Sequence, residues 1–256
     1  LFFGITAGNM DSLINRYTAD LKIRSDDAYT PDGLAGKRPD RSVIVYSQRC
    51  REAYYETPIV IGGIEASLRR IAQYDYWSDK VRRSILIDSN ADILLFGNAE
   101  RALAELAHQI SGGTDLADIQ SLRGTAIVKH KLPAGWTEID STRVDWPSKI
   151  DQLANPYDYQ QKEQASVDED SPAPIRIIPM PLQRKNELDD ATSYIRLPSF
   201  RKVVNDPALY AHASRVLHQE ANPYNAKVLV QKHDTQDVWV NPPPIPLETD
   251  ELDWVF

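Results

Sequence analysis

The chain has a single cysteine, Cys50, among 256 residues. One thiol cannot close an internal disulfide, and it cannot supply the three or four thiolates of an iron–sulfur cluster. A chain without disulfides suits a reducing compartment, so the expected location is cytoplasmic. No apolar run approaches the ~20 residues that a membrane span requires. Basic residues are outnumbered, with 29 Lys and Arg against 37 Asp and Glu and a formal net charge of -8. That balance argues against a broad nucleic-acid or anionic-membrane surface. Two nucleotide signatures are missing. No Gly-x-Gly-x-x-Gly follows a strand, and Gly33-Leu34-Ala35-Gly36-Lys37-Arg38 lacks the spacing and the Ser or Thr of a P-loop. A nicotinamide or nucleotide-sugar enzyme therefore lacks its fingerprints. His212 and His218 stand roughly 240° apart around a helix, whereas zinc-type pairs sit at i, i+4. No metal ligand is assigned.

What is present divides at the prolines. Of the 17, 14 lie at or after Pro133. Before that point short apolar strands alternate with amphipathic helices, which implies a parallel sheet covered by helices. The expected strands are residues 1–6, 58–62 and 92–97, adjacent and parallel. Asn9 and Asn98 are placed to cap helices, and Met10, Leu13, Ile14, Tyr17 and Leu21 recur at helical spacing. A further helix is expected from about Arg41 to Tyr55. Ser78 is placed to cap another through Asp88, although Ile85-Leu86-Ile87 also reads as a strand. Residues 24–41 read as a long polar loop.

After 131 the periodicity weakens, and the polar, acidic stretch from Gln160 to Pro174 reads as a mobile linker. Asp206-Pro207 starts a helix, with Leu209, Val216 and Leu217 as its apolar side. Residues 227–231 and 238–240 read as two strands joined by a turn. Asn241-Pro242-Pro243-Pro244-Ile245-Pro246 reads as a stiff extended spacer, and no helix signal follows it. Large apolar residues at both ends lead us to expect further sequence on both sides. The expected class is α/β: a partial flavodoxin-like parallel sheet with flanking helices over 1–130, an irregular linker over 131–190, a small α+β unit over 191–240 and a proline-rich connector over 241–256.

Three strand ends share one design, and ligands of open α/β sheets bind at the carboxyl ends of strands. Glycine lets a ligand approach the backbone, and helix N-termini offer unpaired N–H groups. The candidate cofactor-binding residues are Thr6, Gly8 and Asn9 on the first loop, Gly62, Gly63 and Glu65 on the second, and Gly97, Asn98 and Glu100 on the third. A purely structural reading stands beside this one, because any βα unit turns tightly on glycine. Gly63→Val is expected to weaken ligand binding with little change in fold. Arg69-Arg70 and Arg82-Arg83 read as solvated helix positions before phosphate ligands. Cys50 reads as a half-buried helix cysteine. Arg215, His212 and His218 read as an interface, either with the β/α domain or with a neighbouring one.

The first half resembles the cobalamin-binding-type domain that precedes a radical S-adenosylmethionine domain. The resemblance rests on Gly4-Ile5-Thr6, on Pro58 through Gly63, on Ala91 through Glu100 and on Asp118 through Ala126. More closely, the chain is similar to the N-terminal region of the YgiQ-type radical SAM family. The stretches that carry this are Thr6 through Ser12, Arg16 through Asp20, Gly36 through Arg41, Gly62 through Arg70, Tyr74 through Ser78, Tyr210 through His233 and Asn241 through Leu247. The resemblance implies a radical SAM enzyme as the complete protein, with a [4Fe-4S] cluster and S-adenosylmethionine bound by a downstream barrel whose Cys-x-x-x-Cys-x-x-Cys motif lies beyond Phe256. That barrel is the implied partner, and this chain alone would be inactive. A lower-ligand histidine for cobalt would lie upstream of Leu1, which counts against cobalamin here. The rival reading is a non-catalytic binding or interaction module with a vestigial shelf.

Overall fold

The computed structural model describes residues 1–131, 133–148 and 192–255. The linker expected over Gln160–Pro174 lies outside the described residues. The described strands are β1 (Phe3–Ile5), β2 (Ile59–Ile61), β3 (Gln73–Asp75), β4 (Lys80–Arg82), β5 (Ile93–Leu95), β6 (Thr125–Lys129), β7 (Thr137–Asp140), β8 (Ser193–Arg196), β9 (Val228–His233) and β10 (Gln236–Val240). The α-helices are α1 (Ser12–Arg16), α2 (Ser42–Ala53), α3 (Gly63–Leu68), α4 (Ile85–Asp88), α5 (Glu100–Ser111), α6 (Phe200–Asn205), α7 (Pro207–Gln219) and α8 (Thr249–Val255).

Strands β2 and β5 are buried on both faces, which is why they read as unbroken apolar runs rather than alternating ones. They pair in parallel with β1 on the other side of β2, in the register Ile5↔Ile61 and Val60↔Ile93. The three expected strands are therefore adjacent and parallel. Side chains of period two divide the core. Ile59, Ile61 and Leu94 pack with Val43, Ala66 and Leu86 from α2, α3 and α4. Val60, Ile93 and Leu95 pack with Ala102 and Leu106 from α5.

The sheet does not stop at β5. Its order is β1-β2-β5-β6-β10-β9-β8-β7. Strand β6 runs antiparallel to β5 and to β10, and β9 antiparallel to β10, while β8 and β7 return to parallel pairing. The sheet is mixed rather than purely parallel. The unit expected over 191–240 joins this sheet and shares its core, since Ile195, Val216, Leu229 and Val238 lie in one cluster with Ile5, Ile61 and Leu94.

Local differences have local causes. Asp11, not Asn9, caps α1 through the Leu13 N–H at 2.9 Å. That helix stops at Arg16, and Leu21 adopts φ 57°, outside any helix. Ala99 holds the N-cap position of α5, and the helix has no side-chain cap. Ser84 caps α4, whereas Ser78 sits in the turn of the β3–β4 hairpin and donates its N–H to Asp75. Asp206 caps α7 through Ala208 and Leu209 as expected. The proline connector runs into helix α8, where no helix was expected.

Candidate functional site

The carboxyl ends of β1, β2 and β5 open on one edge of the sheet. At the first two the loops interlock. The Gly8 N–H donates to the Thr6 hydroxyl at 3.2 Å, and Gly63 adopts φ 79° with its backbone against that hydroxyl. A Cβ on Gly63 would overlap Thr6 Oγ1. Gly63→Val therefore strains both the backbone and the packing, contrary to the expectation of an undisturbed fold. Gly62 lies beside Leu95 of β5, and Thr6, Gly8, Asn9 and Gly63 remain exposed.

Glu65 faces the other way. It is 2% exposed, and its two oxygens accept from the Ser12 N–H (3.0 Å) and the Val43 N–H (3.3 Å). One carboxylate thus serves the starts of α1 and α2, satisfying donors that helix termini leave unpaired. It braces the shelf from beneath rather than lining it. Asp11 and Arg69 form a neighbouring ion pair, so Arg69 is engaged rather than solvated.

The third loop has a cover that sequence reasoning missed. Gly97 (φ 72°) and Gly124 (φ 71°) each stand where a Cβ would crowd Pro244. The Gly124 N–H donates to Pro242 O at 2.8 Å, and Arg123 Nε donates to Pro243 O at 3.0 Å. Arg101 of α5 donates to Ile245 O (3.0 Å) and Pro246 O (3.3 Å) and pairs with Glu251 of α8. The prolines form a strap across this end of the sheet, not a free spacer. Asn98 and Glu100 stay exposed beside it.

Arg70 was also undervalued by its sequence setting. Its guanidinium lies 4.7 Å from the Phe96 ring centroid, at the end of β5. Burial lowers its pKa. Its one hydrogen bond goes to Ser67 O, and no carboxylate pairs with it among the described residues. Around the shelf, Met10, Ile14, Ile64 and Leu68 of the first two loops and helices are exposed.

Two polar clusters are structural. Burial alone would raise the Asp75 carboxyl, but Arg41 (2.5 Å) and Arg82 (2.6 Å) overcome it and hold it well below the usual carboxylate range. With Tyr17 stacked on Trp77 at 3.5 Å, this hub anchors the β3–β4 hairpin. Ser141, His212 and Asp145 form a second set: His212 Nε2 is 3.0 Å from Ser141 Oγ, and Nδ1 is 3.5 Å from Asp145. All three are buried, so no substrate reaches the serine. Arg215 binds Asp145 at 2.7 Å, so His212 and Arg215 clasp residues 141–146 onto α7, while His218 is exposed. Among the described residues no group of three His, Cys, Asp or Glu converges as a metal site.

The fold is a mixed α/β sheet flanked by helices, with a strand-end shelf at one edge. The Radical SAM N-terminal family matches residues 1–256, and the chain belongs to that family. It is 61% identical to a UPF0313 protein of Pseudomonas putida, 60% to one of Pseudomonas aeruginosa and 59% to one of Vibrio parahaemolyticus. Each alignment covers 100% of this chain but only 34%, 35% and 32% of the relative. The chain thus spans about a third of the length of the curated relatives it matches. These relatives are the YgiQ-type family whose resemblance the sequence carries. No solved structure matches it. The family implies a [4Fe-4S] cluster and S-adenosylmethionine in the full-length protein, but the lone thiol here is Cys50, half-buried on α2. The residues of this chain do not fit that cluster.

Proposed function

We propose that this chain is the positioning domain of a cytoplasmic radical SAM iron–sulfur enzyme. Its strand-end shelf seats an anionic part of a cofactor or substrate and presents it to a catalytic barrel downstream in the same polypeptide. The observation that carries this is Arg70, a largely buried cation with no carboxylate partner among the described residues, held over Phe96, the residue before Gly97. Buried charges ordinarily have a counter-charge, and a bound anion would supply one. The exposed apolar side chains of Met10, Ile14, Ile64 and Leu68 suit contact with the barrel. Cluster and S-adenosylmethionine chemistry would reside wholly in that barrel, and this chain alone would be inactive.

The test uses the full-length protein, reconstituted anaerobically. It should hold a [4Fe-4S] cluster and form 5′-deoxyadenosine on reduction. Small-molecule cell extract should stimulate that formation, and Arg70→Met should remove the stimulation while sparing the basal rate. Absence of a cluster would defeat the enzyme reading, and undiminished stimulation in the variant would defeat the shelf. A second reading, an interaction module with a vestigial shelf, draws support from Pro244 over Gly97 and from the inward-turned Glu65. A corrinoid retained by the full-length protein would decide against it.

A further inference from the structure

On the α5 side of the sheet a groove of about 590 Å³ opens between β6, β10 and the loop before β9. Arg123, Lys129 and Lys227 line it, and no Asp or Glu does among the described residues, although the chain carries a net charge of -8. Lys129 is only 8% exposed. Its ammonium sits 4.0 Å from the Trp239 ring centroid, and no carboxylate or hydrogen-bond acceptor meets it among the described residues. Burial lowers its pKa. Arg123 donates to the carbonyls of Pro243 and Pro223 and makes no ion pair among the described residues.

The aromatic floor is fixed in advance. The Trp239 indole N–H donates to Asn241 Oδ1 at 2.9 Å, and Asn241 Nδ2 donates to Thr125 Oγ1 at 2.8 Å. Trp136 meets Trp239 edge-on, with centroids 5.1 Å apart and planes at 70°. Trp136 is half-buried, and Tyr224 stands exposed on the same groove. Cavities of this size hold ligands with one ring system and a few polar groups.

We propose that this groove binds a small anion bearing a planar ring, an aryl or nucleobase phosphate. The phosphate would meet Lys129 and Arg123, and the ring would lie against Trp136 and Tyr224. The bound anion supplies a direct ion pair to Lys129, whose cross-strand neighbour Asp237 is already held by Arg196, and the prearranged ring wall limits what must be ordered on binding. The site is separate from the strand-end shelf and does not depend on it.

The experiment is calorimetry on the full-length protein with AMP, adenosine and inorganic phosphate as probes. AMP should bind saturably, with adenosine and phosphate each at least about tenfold weaker. Lys129→Met should weaken AMP at least about tenfold while leaving the ligand-free melting temperature unchanged or higher, because it removes a partly desolvated ammonium that makes no ion pair among the described residues. Trp136→Leu should weaken AMP and adenosine alike. Dependence on these two residues assigns AMP to this groove rather than to any adenosyl site in the barrel. No saturable AMP binding at millimolar concentration, or equal affinity in wild type and both variants, would overturn the proposal. Phosphate binding as tightly as AMP would remove the ring from it.

Discussion

The two halves of the sheet deploy charge in opposite ways. Around β1, β2 and β5 the buried acids are all engaged: Glu65 holds two helix starts, Asp11 pairs with Arg69, and Asp75 joins two arginines. Around β6 and β10 the buried Lys129 and the half-buried Arg123 make no ion pair among the described residues, and Asp237, the cross-strand neighbour of Lys129, is engaged by Arg196. The first pattern makes a scaffold, because satisfied buried polar groups rigidify and specify one structure. The second is the setting of the proposed anion site. Arg70 is the exception within the first half, which is why the shelf reading rests on it.

The comparison breaks most sharply at Glu65. Glu65→Leu strips both acceptors from the Ser12 and Val43 amides in a buried site. The expected loss is about 4 kcal/mol, summing two unsatisfied buried donors, read as a lower denaturant midpoint. A loss below about 1 kcal/mol would show that water replaces the carboxylate and that the brace is dispensable.

Gly63→Val tests the interlock of the first two loops. A β-branched residue at φ 79°, overlapping Thr6, should lower stability by about 3 kcal/mol. Wild-type thermal stability in this variant would mean that the loops separate easily and the shelf is soft.

The far half is sharpened by pH. His233 is buried, and desolvation, followed by the nearby Arg83 charge, lowers its pKa to about 4. An unfolded histidine titrates near 6.5, so between about pH 4 and 6.5 the unfolded chain binds more protons. Stability is fully present above about pH 6.5 and falls with acidity, by about 1 kcal/mol at pH 5.5 and about 3 kcal/mol at pH 4. His233→Phe should flatten that part of the pH profile. An unchanged acid slope would assign it to other groups.

How much could be read beforehand follows from distance along the chain. Apolar runs and glycine turns announced β1, β2 and β5, and Asp206-Pro207 announced α7, because each signal lies within the element it starts. The Asn9 and Asn98 caps failed because several nearby polar residues compete for a helix start, and Asp11 won the first. Helix α8 was missed although Asp250 and Glu251 lie in its first turn and Glu251 accepts from the Glu248 N–H at 2.8 Å. The short acidic segment was overshadowed by the prolines before it, and Arg101 on α5 adds a tertiary tie to Glu251.

Composition and pattern by themselves determined the α/β class and the parallel order of the first three strands, while the family entered through the resemblance of particular strings such as Gly62 through Arg70. They also determined the absence of a cluster-binding thiol set, since counting cysteines needs no coordinates. Only the tertiary structure decided which way each candidate side chain turns. Glu65 meets an amide 53 residues away, and Pro244 closes on a glycine from the far end of the chain. Lys129 became notable only when folding buried it with no ion pair among the described residues, its neighbour Asp237 being taken by Arg196. Sequence carries local preference, but the satisfaction of a buried charge depends on neighbours that the fold alone brings together.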